Sequence, residues 1–331
     1  MKNTTDNAVE QSTNVCEEVA LAVAMNVFEY NEENIPEFNL SVGDNIYSDL
    51  RTEISLLRYA ETLQEFEYLK IKKLDVTAKD GVIDGIEKCK NLEELTLRGN
   101  LEDLSLVAQL EKLKKLDLRL DNINDLTPLK NLHDLEEFSD SSEEHDDLDL
   151  SPLANMINLK KLTFLSILGE GMKEVIGKLK NLEYLCVYIG ESELNINDLM
   201  SELKNLKKLV TLISVEGRWA SSIEQLKRLE TLSLRANEND VINLPNLRNF
   251  KMNENTNGMP SLKLSKKLEH VHLSRLNDYS NISELTGLPN LKSIVMETEG
   301  EPESLKQYKE LFSNITIWNV DEDSKELSKI D

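Results

Sequence analysis

The segment from Leu92 to Leu129 restricts the possible folds more than any other. Leu92, Leu95 and Leu97 are followed by Asn100, and Leu113, Leu116 and Leu118 repeat the spacing 21 residues later. Alternate residues of a strand point to opposite faces, so a strand buries Leu95 and Leu97 together and leaves Glu94, Thr96 and Arg98 outside. A single unit of this kind cannot enclose its leucines. It has to stack on copies of itself, which predicts a solenoid.

The same phase recurs along the chain. Strand segments are expected to begin at Ile71, Leu92, Leu113, Leu135, Leu159, Leu182, Leu206, Leu229, Leu247, Leu268, Leu291 and Phe312, at intervals of 18 to 24 residues. Only 5% of the 331 residues are aromatic, so the core must be built from aliphatic side chains. Three residues before most starts stands another apolar side chain, as at Leu110, Leu132, Met156, Leu179, Leu203, Leu226, Leu244 and Leu288. Cys89 fills that slot in the second unit and is therefore expected to be a buried thiol.

A period of this length, together with the segments Ile123-Asn-Asp-Leu126-Thr-Pro128-Leu129 and Leu148-Asp-Leu150-Ser-Pro152-Leu153, resembles leucine-rich repeat proteins of the roughly 22-residue class. Internalins and a phosphatase-regulating nuclear subunit are of that class. The resemblance implies an α/β repeat solenoid: a horseshoe with a concave parallel β-sheet, short helical or 3-10 convex segments and an N-terminal helical cap. The expected organisation is a disordered tail over 1–14, the helical cap over 15–67, about twelve repeats over 68–320 and a charged tail over 321–331. Val15, Val19, Val23 and Val27 give the cap a four-residue stripe, and Asp49 supplies the N-cap of a second helix. The resemblance also implies a ninth-position asparagine that serves the turn after each strand. Asn100, Asn237 and Asn255 fit, whereas Asp121, Glu143, Ile167, Gly190 and Ser214 predict irregular central turns.

A formal charge of −23 disfavours nucleic acid and anionic membranes and makes a basic protein the natural complement. Cys16, Cys89 and Cys186 are odd in number and widely separated, which fits free thiols in a reducing, cytoplasmic setting. The first 28 residues lack the order of a secretory signal, and Val19 to Phe28 is too short and interrupted to span a bilayer.

Catalytic motifs are not apparent: there is no Gly-rich phosphate loop, no H-E-x-x-H and no G-x-S-x-G, and no cofactor is implied. His270 and His272 share the exposed face of one strand and could hold a metal only with Glu297 from the next unit, so contact with solvent or a partner is the expectation. The acidic run containing Glu136, Glu137, Asp140, Glu143, Glu144, Asp146 and Asp147 lacks the glycine of a calcium loop and reads as a solvated loop or an anchor for a basic partner.

The exposed strand face divides into charged, apolar and polar zones. The first includes Arg98 and Arg119, and the last includes Arg235, His270 and His272. Between them Leu165, Tyr184, Cys186, Tyr188, Val210 and Leu212 occupy positions facing water, the composition of a binding centre. Trp219 is expected in the core and Trp318 on the exposed face of the last unit. The expected function is that of a non-catalytic module holding a protein partner on this face. An acidic inhibitor or immunity-type regulator of a basic enzyme is the sharper form, and a secreted or cell-surface internalin-like adhesin is the alternative.

Overall fold

The computed structural model describes residues 65–78, 81–121, 123–141, 148–167, 171–188, 196–211, 220–236, 238–253, 258–274, 280–298, 306–321 and 327–329. The expected N-terminal tail, the valine stripe, the Asp49 helix, Trp219 and the loop carrying Glu143, Glu144, Asp146 and Asp147 lie outside the described residues. Two compact units divide between Leu132 and His133.

In the first unit, β1 (Lys73–Ala78), β2 (Glu94–Gly99) and β3 (Lys115–Leu120) pair in parallel, with Leu74, Leu95 and Leu116 in one register row and Val76, Leu97 and Leu118 in another. All six are buried. At about 2 kcal/mol for each fully buried leucine, these rows supply the main driving force for stacking. The parity read from the sequence is thus the parity of the sheet.

The second unit continues the scheme with β4 (Glu137–Asp140), β5 (Lys161–Ile167), β6 (Tyr184–Tyr188), β7 (Lys208–Thr211), β8 (Thr231–Leu234), β9 (Asn249–Met252), β10 (His270–Ser274), β11 (Ser293–Thr298) and β12 (Thr316–Asp321). Successive strands of this set pair in parallel. A final strand, β13 (Leu327–Lys329), pairs antiparallel with β12, so the segment expected to be only a charged tail adds to the sheet. The last register also differs from expectation. Ser293 pairs with Thr316, which puts Asn314 rather than Phe312 in the starting phase. Phe312 is buried just after the helix Lys306–Leu311. The offset is two residues, so parity survives and Trp318, opposite Val295, still lies on the outer face.

The opposite side of each repeat changes along the chain. Short 3-10 turns at Ile86–Lys88, Val107–Gln109, Thr127–Asn131 and Ser151–Asn155 give way to α-helices at Met172–Lys178, Ile196–Glu202 and Ala220–Ile223. Three early turns start from an aspartate whose side chain accepts a backbone N–H two residues on: Asp103 from Ser105 at 2.8 Å, Asp125 from Thr127 at 2.7 Å and Asp149 from Ser151 at 2.8 Å. The Ser105 and Thr127 hydroxyls first, and then these backbone bonds, hold the Asp103 and Asp125 carboxyls below their ordinary range. The 18-residue period before Leu247 leaves no described helix between β8 and β9, and an extended bridge from Val241 to Ser261 appears in the neighbouring segment instead.

Two devices join neighbouring repeats. One carbonyl accepts two consecutive N–H groups of the next repeat: Lys72 O takes Glu93 and Glu94, and Glu183 O takes Lys207 and Lys208. The other is an asparagine placed immediately before the first leucine of a unit. Asn91, Asn158, Asn181, Asn205, Asn246 and Asn290 each donate Nδ2–H to a carbonyl of the preceding repeat at 2.7 to 3.0 Å. This is the asparagine ladder of the described residues; Asn100, in the ninth position, is exposed.

Core slots outside the pattern are instructive. Cys89 is fully buried, and burial first, then the Glu87 charge, push its thiol up to about 12, as befits a packing residue. Ser265 stands where other units have leucine; its hydroxyl donates to Ile242 O at 3.0 Å and accepts from Leu244 N–H at 3.2 Å, replacing apolar packing by satisfied polarity. Asp140 corrects the sequence expectation of a wholly solvated acidic run. It occupies the second inward position of β4, opposite Phe164, and is 1% exposed.

Candidate functional site

The outer face of the second unit is read directly from register. One row runs through Glu137, Lys161, Tyr184, Lys208, Thr231, Asn249, His270 and Ser293, and the next through Ser139, Thr163, Cys186, Val210, Ser233, Lys251, His272, Val295 and Trp318. Strand pairing alone brings these side chains together, since parallel strands put equivalent residues about 4.8 Å apart.

Tyr184 is the centre of the first row. It is half-buried, and its ring lies under Lys208 Nζ at 4.9 Å. Burial foremost pushes its phenol above the ordinary range. Cys186, expected to face water, is only 7% exposed, and burial raises its thiol pKa. Its parity is as expected, on the outer row between Thr163 and Val210. Val210, next in the row, is half-buried.

Leu165 departs from its expected alignment with Tyr188. The β5–β6 register shifts between Phe164 and Ile167, so the partner of Tyr188 is Ile167. Two extra residues, Leu165 and Ser166, form the bulge, and Leu165 is half-buried there. Of the residues expected to extend the patch, Leu212 lies outside the described set, as does the side chain of Tyr188.

Farther along the face, His272 Nε2 meets Glu297 Oε1 at 2.7 Å, and His270 Nδ1 meets Ser293 Oγ at 2.7 Å. The pairing of His272 with Glu297 from the next unit is the juxtaposition the sequence allowed for. His270 turns to Ser293 instead, and the described residues contain no cluster of three metal-binding groups. Burial first, then the charge of Lys251, lower the His272 pKa, outweighing the Glu297 carboxylate that raises it. Burial raises Glu297, but the bonds from His272 and Ser274 and the charges of His272 and Lys251 leave it below its ordinary range.

Because folding lowers the His272 pKa, the unfolded chain binds its proton more readily, and this residue's contribution to stability is lost as pH falls below about 6.5 through the folded value. An NMR titration is expected to place the His272 midpoint below about 6.5. A midpoint at or above that value would show that Glu297, rather than burial, dominates.

In the first unit the two arginines expected to meet a partner are occupied by carboxylates. Arg98 binds Asp75 with both prongs, at 3.0 and 2.9 Å, and Arg119 binds Asp117 Oδ2 at 3.0 and 2.8 Å. Arg235 is half-buried just beyond β8. Sequence reasoning missed the asparagine ladder, whose signal was the recurring Asn-Leu dipeptide. It also missed the alternating ion pairs at the strand starts, such as Lys72–Glu93–Lys114 with both contacts at 2.7 Å, which hold the Glu93 carboxyl down to about 2.

No protein-family model and no curated protein matches the sequence. Among solved structures, the chain is similar to an internalin (inlF) of Listeria monocytogenes, with 22% identity over 77% of this chain and 82% of that one at a TM-score of 0.49. It is also similar to internalin C2 of Listeria monocytogenes, with 22% identity over 71% and 84% of the two chains at a TM-score of 0.36. The repeat geometry stands without them. Its period, its parallel strands and its rows of buried leucine give the chain a leucine-rich repeat solenoid fold.

Proposed function

We propose that the chain is a non-catalytic interaction module that holds a protein partner on the outer strand face of its second unit. The half-buried Tyr184 carries this reading. It presents a rigid ring beside Val210 and the buried Cys186, while Lys161, Lys208 and Glu137 stand around it as charged neighbours, the arrangement of an interface anchor with a polar rim. Leu165, exposed in part by the bulge, extends the apolar area. His270 and His272 would contribute at the far end of the same face, and Arg235 would take part by exchanging its present contacts for partner carboxylates. An inhibitor-type role toward a basic protein is the sharper form of this reading, supported by the net charge of −23 and by the acidic residues Glu143, Glu144, Asp146 and Asp147, which would speed encounter.

Affinity capture from the native lysate, comparing wild type with a Tyr184→Ala/Tyr188→Ala variant, tests the proposal. Truncating two anchors should weaken binding by at least about 2 kcal/mol and so remove the partner from the captured set. Undiminished capture of that partner by a variant with wild-type circular dichroism would move the binding site off this face.

A further inference from the structure

The charge of the second unit is not spread evenly, and chain topology makes its distribution readable. Every strand from β4 to β12 runs in the same direction, so residues at the same phase of successive repeats lie on the same flank. Two residues before the first leucine of a unit stand Lys180, Lys204, Lys227 and Lys266. All four are exposed. Lys180 pairs with Glu202 at 3.2 Å, whereas Lys204, Lys227 and Lys266 have no carboxylate partner among the described residues.

The backbone beneath this row is fixed by the asparagine ladder. Lys180 O accepts Asn205 Nδ2–H at 2.8 Å, Lys227 O accepts Asn246 Nδ2–H at 2.8 Å, and Lys266 O accepts Asn290 Nδ2–H at 2.9 Å. A chain carrying a charge of −23 therefore keeps a line of unneutralised ammonium groups on a rigid edge. At about 5 Å per repeat, Lys204 to Lys266 spans ~15 Å, the length of about five residues of extended peptide.

We infer that this lateral edge is a second interaction surface, which takes an acidic, carboxylate-rich segment of a partner protein. Two features favour such a segment over a nucleic acid. No aromatic residue shares the lysine phase from Lys180 to Pro289 to stack a base, the phase holding Pro245 between Lys227 and Lys266 and Pro289 beyond them. Glu183, Glu230 and Glu269 interrupt the strand starts beside the row, and a uniformly charged phosphate backbone would have to pass them, whereas a protein segment can place neutral or basic residues there. The inference does not rest on the strand-face proposal, and its test leaves Tyr184 and Tyr188 intact.

Fluorescence anisotropy of a labelled oligoglutamate peptide, at about 50 mM and about 300 mM salt, provides the measurement. Wild-type protein should bind the peptide at the lower salt, and Lys204→Glu/Lys227→Glu/Lys266→Glu should weaken binding by at least about tenfold. A charge-matched control, Lys130→Glu/Lys173→Glu/Lys309→Glu, should change it by less than about threefold, and labelled oligothymidylate should bind more weakly than the peptide. Lack of peptide binding, equal losses in the two variants, or preference for the oligonucleotide would each overturn the inference. The substituted lysines are solvent-exposed, so both variants should keep the wild-type unfolding midpoint, which circular dichroism verifies.

Discussion

Leu116→Asp should abolish cooperative folding of the first unit, with a loss of about 4 kcal/mol or more in urea unfolding followed by circular dichroism. Leu116 is 1% exposed and pairs in register with Leu95, between Leu113 and Leu118, both fully buried. A carboxylate at this position would lack a compensating cation, because the neighbouring charges, Lys115 and Asp117, point to the other face. Because repeat units are stabilised only against their neighbours, the damage should spread to β2 and β1. A variant with the wild-type unfolding midpoint would mean that β3 presents its leucines to water.

Gly99→Ala is the second large effect, at about 3 kcal/mol, although it adds a single methyl group. The residue ends β2 with φ at +88°, a region L-residues rarely occupy, and a Cβ there would sit 2.5 Å from Ala78 O. That oxygen belongs to the backbone of β1 and cannot rotate away. Gly171→Ala is the matched comparison, since its φ is −65° and nothing lies within 4 Å of the added carbon; its change should stay within about 0.5 kcal/mol. Equal melting temperatures for the two variants would show that the β1–β2 edge relaxes freely.

The first of these expectations starts from a position the sequence marked, whereas the strain at Gly99 shows only in the backbone geometry. Leu116 was legible because alternation in a strand allows only two faces, and rows of leucine show which is buried. The same parity located Tyr184, Val210, His272 and Trp318 on the outer face without reference to coordinates. Parity is silent about pairing across an irregular turn, so the bulge that sets Tyr188 against Ile167 instead of Leu165 was not legible. Phe312 misled for a related reason: an apolar residue closing a helix looks like one opening a repeat, and only pairing of Ser293 with Thr316 separates the two. Asp140 shows the converse failure. Its phase was inward, yet its acidic neighbours gave it the character of a loop, and residue type was allowed to outweigh position.

The proposed site stands on residues of both kinds. The tyrosine and valine at its centre follow from strand phase, while the near-complete burial of Cys186 is a matter of rotamer and packing that phase does not fix. The lysine edge was hidden by averaging. A sum of charges over the whole chain is negative, and only after residues are sorted by phase does one flank separate from the rest.

The shared carbonyls and the asparagine ladder reach only from one turn to the next. Lineages that duplicate or delete a whole turn between Asn158 and Asn205 would therefore restore every such bond at the new junction, much as a zip can be shortened by whole teeth. Partner surfaces of different length could then be matched in steps of about 5 Å while the aliphatic interior stays unchanged.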